Sequence, residues 1–321
     1  MKQKRLSPIW WIGMLACIPF AFVLIKRNAD EATQKNTITT TSSYQWIKLL
    51  DSAPWKKTYN YQLFAIRDTL WCFHPDTVWY SLDAVNWSTS GLSDAVNNQA
   101  FLDYVVKNDT VFGFGYFEGN IERYTFQPKL FITSNLRSWK ESASNLPRLF
   151  FYHPFVFNNK FWIIGGEEQE VSSEIWSSND GRNWFKEKAS TALGKRTGSQ
   201  IVNLRDTLYL LNNDVWRSTD AINWTKVSDA IVPGQTIFGY TALVYNQKIW
   251  LLGCNRNGQF TSNVLNSSDG IHWEEQEAPW LPRGGIAATV FKNQIIMTGG
   301  KYGGTPNHPE FRYDNDVWVM Y

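Results

Sequence analysis

Cysteine, histidine and net charge are what this sequence has least of. Three Cys and four His occur in 321 residues, and 31 Lys plus Arg stand against 29 Asp plus Glu, a net charge of +2. Beyond residue 43 only Cys72 and Cys254 remain, so no disulfide framework supports the fold, and both read as buried thiols. So even a charge balance gives no electrostatic case for binding nucleic acid. The sequence contains no Gly-x-Ser-x-Gly, no His-Glu-x-x-His, no Cys-x-x-Cys and no phosphate-cradling glycine loop, which removes the local signatures of many enzymes. His74, His153, His272 and His308 are scattered; without clustered ligands they read as ordinary surface or packed histidines, and no metal or other cofactor is expected. Long helical periodicity is missing beyond the N-terminus, while short apolar runs punctuated by Asn, Asp, Gly and Ser are frequent. The chain reads as all-β.

The N-terminus stands apart. Lys2, Lys4 and Arg5 precede an apolar run from Ile9 to Ile25 that ends at Lys26-Arg27. Seventeen helical residues would reach roughly 25 Å, near the lower limit for a membrane span. Cleavage sites ending at Ala29 or Ala32 would place Arg27 or Asp30 where a small residue is wanted, and apolar residues after Cys17 argue against a lipoprotein. Residues 1–27 therefore read as an uncleaved signal-anchor with a cytoplasmic N-terminus, the alternative being a cleaved signal and a secreted protein. Residues 28–43 are polar and read as a flexible tether. Residues 44–321 then lie outside the cytoplasm.

What the sequence has in abundance is tryptophan, 17 in all, at repeating positions. Ile175-Trp176-Ser177-Ser178-Asn179-Asp180-Gly181-Arg182-Asn183-Trp184 recurs at 78–87, 215–224 and 264–273, with a degenerate copy at 130–139. Each copy reads as a strand, a Ser-x-Asp turn and a return strand opened by Trp. Ser and Asp can accept backbone N–H bonds in such a turn. Ala84 and Ala221, where other copies have Gly181 and Gly270, suggest that positive φ is not obligatory there.

A second hairpin precedes each of these. Its six copies turn at 67–69, 108–110, 158–160, 205–207, 246–248 and 292–294, each followed by large apolar residues such as Leu70-Trp71 or Phe161-Trp162. Two hairpins per unit make a four-stranded propeller blade. Trp87, Trp139, Trp184, Trp224 and Trp273 are spaced by 52, 45, 40 and 49 residues, near the period of propeller repeats. The sixth signature hairpin begins at Asp316-Val317-Trp318 and the chain stops before its closing Trp. Tyr44-Gln45-Trp46-Ile47 matches what is missing, so the expectation is a six-bladed β-propeller whose last blade both termini complete.

Gly165-Gly166 after Phe161-Trp162-Ile163-Ile164, followed by Trp176 and Trp184, resembles the kelch motif of the galactose-oxidase-type propellers, and Gly299-Gly300 with Trp318 repeats it. The resemblance spans residues 44–321, although Cys72-Phe73-His74 and Asn212-Asn213 lack the double glycine. The turn also looks like the Asp-box of sialidase-type propellers, one residue short. Sialidases would imply three arginines and an Arg-Ile-Pro start that is missing here; kelch-like copper oxidases would imply paired histidines with tyrosines.

Basic residues recur before the first strand of several blades: Lys57, Arg148, Lys195-Arg196 and Arg283. The kelch resemblance implies that an Arg here faces the channel mouth, giving a cationic rim for a carboxylate or acidic peptide, against the alternative of solvated strand-end charges. Glu167 and Glu168, after Gly165-Gly166, are candidates for a base or a sugar contact beside it. Trp55, Trp280, Tyr116 and Tyr302 fall outside the regular pattern and could stack on sugars. The resulting expectation is a membrane-anchored, non-catalytic module binding a protein or glycan. Its rival is a carbohydrate-active propeller of the mutarotase or epimerase type acting on an anionic sugar, for which Glu167 or Glu168 should reach Arg148 or Arg196 and face one cavity with it.

Overall fold

Six times the chain reverses between the first and second strands of a repeat through two consecutive non-glycine residues of positive φ: Arg67-Asp68, Asn108-Asp109, Asn158-Asn159, Arg205-Asp206, Asn246-Gln247 and Lys292-Asn293. These are type I′ turns, whose twist matches that of the strands they join. They appear in a computed structural model that describes residues 38–40, 44–59, 61–74, 77–91, 99–120, 123–304 and 308–321. The apolar segment 9–25 and most of the polar segment 28–43 lie outside the described residues. No helix among the described residues is long and apolar enough to cross a membrane.

Each of these six turns joins the first and second strands of a blade. Blade 1 runs Gln62–Ile66, Thr69–His74, Thr77–Ser81 and Trp87–Gly91; blade 2 Gln99–Lys107, Thr110–Asn120, Arg123–Thr133 and Lys140–Ser142; blade 3 Phe155–Phe157, Lys160–Ile164, Ile175–Ser178 and Trp184–Lys188. Blade 4 runs Gln200–Leu204, Thr207–Leu211, Val215–Ser218 and Thr225–Ser228, and blade 5 Thr241–Tyr245, Lys248–Arg256, Gln259–Ser267 and Trp273–Glu277. Blade 6 takes Ala287–Phe291, Gln294–Thr298 and Val317–Met320 from the C-terminal end and its outer strand, Trp46–Leu50, from the N-terminal side. Trp46 pairs with Met320 and Lys48 with Trp318, so the two chain ends do close one blade. First strands of blades 2 and 3, 4 and 5, 5 and 6, and 6 and 1 touch, and shared apolar clusters join blade 1 to blade 2 and blade 3 to blade 4, so the ring closes.

Ile38–Thr40 adds a parallel strand outside blade 5, Ile38 opposite Trp273. The end of the segment read as a tether is therefore paired to the propeller.

Alternation along the second strands explains the aromatic content. Phe161 and Ile163 pack towards blade 2 with Phe114, Leu130 and Trp184, while Trp162 and Ile164 pack towards blade 4 with Leu208, Leu210 and Trp224. Successive side chains point to opposite faces, and in a ring both faces are buried. Each pair of neighbouring blades shares one apolar cluster.

The Ser-x-Asp turns fold as expected except in one respect. Ser218 Oγ accepts from the amides of Asp220 and Ala221 (3.2 and 3.0 Å), Asp220 Oδ1 from those of Ile222 and Asn223 (2.8 and 2.7 Å), and Trp224 Nε1 donates to Ala221 O at 3.0 Å. The fourth turn residue is left-handed in all five copies: φ is 63° at Ala84, 62° at Leu136, 74° at Gly181, 65° at Ala221 and 75° at Gly270. Positive φ is thus required even where the residue is Ala. The serine and aspartate bonds on either side hold the backbone there against a steric cost of roughly 1–2 kcal/mol.

Candidate functional site at the channel mouth

The strands alternate in direction, so the blade-to-blade connections and the second-to-third strand loops share one end of the ring. The I′ and Ser-x-Asp turns occupy the other. All the basic residues singled out in the sequence lie on connections at the first end, and the structure treats them differently.

Arg283 does not line a rim. It is 1% exposed, its Nη2 donates to Asp316 Oδ2 at 3.0 Å, its Nη1 to the other Asp316 oxygen and to Gly299 O at 3.2 Å, and its Nε to Leu281 O at 3.1 Å. Trp318 Nε1 donates to the same carboxylate at 2.8 Å. Arg196 repeats this arrangement at the entry to blade 4, with Asp214 at 3.1 Å and Trp216 Nε1 donating to Asp214 at 2.7 Å. These arginines join a blade's incoming connection to its own third strand, and a neutralised, buried guanidinium offers little to a ligand.

Arg148 donates to Glu168 Oε1 at 2.8 Å, with the two side chains 61% and 39% exposed, and Lys195 donates to Glu170 Oε2 at 2.6 Å. Glu168 thus reaches Arg148, one of the two conditions of the sugar-enzyme rival, but as an exposed pair of small energetic weight that lines neither of the two concavities described below. Glu167 is fixed by its backbone, which exchanges two 2.9 Å hydrogen bonds with Phe150; burial raises its carboxyl pKa. Lys57 is exposed. Four of the five cations therefore carry counter-charges. A concavity of 280 Å³ between blades 3 and 4 is lined by Lys195, Arg196, Asp214 and Lys226, already paired. Another, of 590 Å³, lies on the outer strands of blades 2 and 3 near Lys140 and Arg182, away from the channel.

A different group converges at the inner strands of blades 1, 2 and 3. Asp103 sits within the first strand of blade 2, and Gln62 Nε2 in blade 1 donates to its Oδ1 at 3.0 Å. Gln62 Oε1 accepts from the backbone amide of Tyr104 at 2.8 Å. Tyr116 Oη lies against Asp103 Oδ2 and 2.8 Å from Tyr152 O; its single proton can serve only one of these acceptors at a time. His153 Nδ1 is 3.6 Å from Asp103 Oδ1, an ion-pair distance longer than a good hydrogen bond. Burial disfavours the charged imidazole, yet the attraction of the Asp103 carboxylate outweighs it and raises the pKa of His153. The His153 side chain nevertheless stays 41% exposed. It stands two residues before Phe155–Phe157, at the mouth of the channel that the inner strands enclose.

Asp103 left only a weak sign in the sequence, a charge inside an apolar strand, and its partner left none. Of the four residues considered for sugar stacking, Trp55 and Trp280 are 5% and 3% exposed and belong to blade interfaces. Tyr116 belongs to the Asp103 cluster, and Tyr302 is half-buried in blade 6. No group of three potential metal ligands occurs among the described residues. Cys72 and Cys254 are buried free thiols, and burial raises the Cys72 pKa well above its ordinary value.

Residues 133–321, which hold blades 3 to 6 apart from the strand Trp46–Leu50, match the family model of the DUF6242 beta propeller domain. The chain belongs to that family. A solved structure titled "Structure of YjhT" superposes with a TM-score of 0.68 over 84% of this chain and 96% of that one, at 12% identity, a likeness of fold. No curated protein sequence matches the chain. In this DUF6242 propeller the matched region includes Arg196, Arg283 and their carboxylates, whereas Gln62, Asp103 and Tyr116 lie before it.

Proposed function

We propose that this DUF6242 propeller is a glycan-binding module whose ligand sits at the channel mouth over blades 1 to 3. The observation behind this is the accessible His153 imidazole held beside Asp103, with Gln62 and Tyr116 supporting the carboxylate. Such a set offers both donors and acceptors to hydroxyl groups, and few pre-oriented polar groups in a concave setting are what orient a ligand. Lys2, Lys4 and Arg5 before the apolar run 9–25 support anchoring in a membrane with the propeller on the extracytoplasmic side.

A thermal-shift screen against neutral mono- and oligosaccharides tests the reading, since a ligand at 100 times its Kd stabilises the fold by about 2.7 kcal/mol. The expected result is a sugar-dependent shift that disappears in Asp103→Asn and His153→Ala. A shift retained in both variants, or no shift with any sugar, would defeat it.

A second reading is favoured by the same pair. Asp103 stands beside Nδ1 of the imidazole and leaves the ring partly exposed, the arrangement of a general acid or base, and Arg148 with Glu168 stands at the same end of the propeller. A bound sugar whose anomers interconvert faster with protein than with His153→Ala, followed by polarimetry, would make the module an enzyme.

A further inference from the structure

The second-to-third strand loop of blade 6 carries a hairpin of its own, Lys301–Tyr302 paired with Arg312–Tyr313. Lys301 is directly opposite Tyr313 in this ladder, so the two side chains share a face, and Phe311, two residues earlier, joins them. Tyr313 stacks between Tyr59 and Phe311, with ring centres 6.0 and 5.9 Å away and planes 14° apart in both cases. The Lys301 ammonium lies 4.5 Å from the centre of the Tyr59 ring and 5.6 Å from that of Phe311. Phe311 remains 50% exposed, and Lys301 itself is only half-buried.

Its electrostatic setting is unlike that of Arg148, Lys195, Arg196 and Arg283, each of which has a carboxylate partner. No carboxylate lies within ion-pair distance of Lys301 among the described residues, and Asp314 nearby is shared by Arg283 and Arg312 at 3.5 and 3.3 Å. Burial lowers the pKa of Lys301 and raises those of Tyr59, where Tyr313 adds to the effect, and of Tyr313. The ammonium is thus desolvated, and its ring neighbours attract it without accepting its N–H bonds in the way an oxygen would. Both phenols stay protonated near neutral pH and can donate. The hairpin is tied in place, because Lys301 and Gly284 exchange backbone bonds of 2.8 and 2.9 Å and Gly300 N donates to Thr58 O at 3.2 Å. It therefore stands at the channel-mouth end where the connections into blades 6 and 1 meet.

We propose that Lys301, with Tyr59 and Tyr313, forms a binding site for a carboxylate group. One uncompensated positive charge beside two neutral donors matches a monoanion; a phosphate dianion would leave a charge unbalanced in a partly desolvated place. The exposed face of Phe311 would contact the apolar part of the molecule that bears the carboxylate. This site lies apart from Asp103 and His153 in residues and blades, and it stands whether or not a glycan binds there.

The test uses the full chain and acetate as the probe, with chloride and inorganic phosphate at matched ionic strength as comparisons, read by thermal melting. Acetate is expected to raise the melting temperature more than either, and the difference is expected to vanish in Lys301→Met. Tyr313→Phe, which keeps the stacked ring and removes its hydroxyl, should retain the fold and weaken the acetate response several-fold. It serves as the second variant if Lys301→Met does not fold. Equal responses to acetate, chloride and phosphate overturn the proposal. So does an acetate response unchanged in Lys301→Met, or, where that variant does not fold, in Tyr313→Phe.

Discussion

Arg283 and Asp316, 33 residues apart in sequence, meet in a two-point contact out of solvent, and Trp318 donates to the same carboxylate. The pair ties the connection from blade 5 to the third strand of blade 6, the blade in which the chain ends meet. Removing one partner leaves the other charge buried. Arg283→Met should therefore destabilise the protein by about 3–5 kcal/mol, whereas the double variant Arg283→Met, Asp316→Asn should recover part of that loss. Urea unfolding of the four proteins in the cycle measures both quantities, and an additive double variant would show that the pair contributes no coupling.

Trp46 is the N-terminal contribution to the last blade, 9% exposed and edge-on to Trp280 at 4.5 Å. Trp46→Ala should cost about 3–5 kcal/mol. Deletion of residues 44–50 should abolish the cooperative transition, because blade 6 would lose its outer strand. Circular dichroism melting follows both, and a deletion that melts like the parent would mean that the ring closes without this strand.

The left-handed turn position separates steric strain from local crowding. A Cβ on Gly270 would lie 2.9 Å from the Tyr209 ring, whereas at Ala221 the corresponding methyl is already accommodated. Gly270→Ala should cost about 2–4 kcal/mol, combining backbone strain with overpacking. Ala221→Gly should change stability by less than about 1 kcal/mol, since relief of strain offsets the lost methyl. Chemical denaturation ranks the two variants, and equal effects would remove Tyr209 from the explanation.

Burial alone would raise the carboxyls of Asp180 and Asp220. Hydrogen bonds from the amides of Asn183 and Arg182, and of Asn223 and Ile222, instead hold both at about 2. A depressed folded-state pKa contributes stability that is present above the unfolded value, near 4, and is lost as pH falls towards 2. Stability should therefore decline between about pH 4 and pH 2, and the decline should be shallower in an Asp180→Asn, Asp220→Asn protein. Denaturation midpoints across that range decide it.

The sign is opposite for His153. Its raised pKa means that the contact with Asp103 stabilises the fold below the unfolded histidine pKa and that this contribution fades as pH rises through the folded value. In Asp103→Asn the desolvation remains and the attraction is gone, so the His153 pKa should drop below the ordinary histidine value. An NMR titration of the imidazole resonances measures it, and an unchanged pKa would show that Asp103 is not the cause.

How much of this was legible in the sequence depended on distance along the chain. The ten-residue pattern ending at Trp184 or Trp224 carries its own turn chemistry, because Ser178 with Asp180, and Ser218 with Asp220, bond only to neighbours. Counting such patterns was enough to give blades, their number and the joining of Trp46 to Val317–Met320, since a ring of β units buries both faces of every strand and must close. Chain-local evidence failed where a side chain had to choose among distant partners. Arg283, Arg196 and Arg148 occupy comparable positions, yet the first two turn to Asp316 and Asp214 on their own blades while the third stays at the surface with Glu168. Asp103 and His153 lie 50 residues apart on different blades, and Tyr59 reaches Tyr313 only because the termini meet. Local hydrogen bonding and apolar periodicity are written into consecutive residues and determined the propeller. Which charges are neutralised and which remain open to a ligand depends on what the closed ring brings within a few ångströms, and only the tertiary structure decided that.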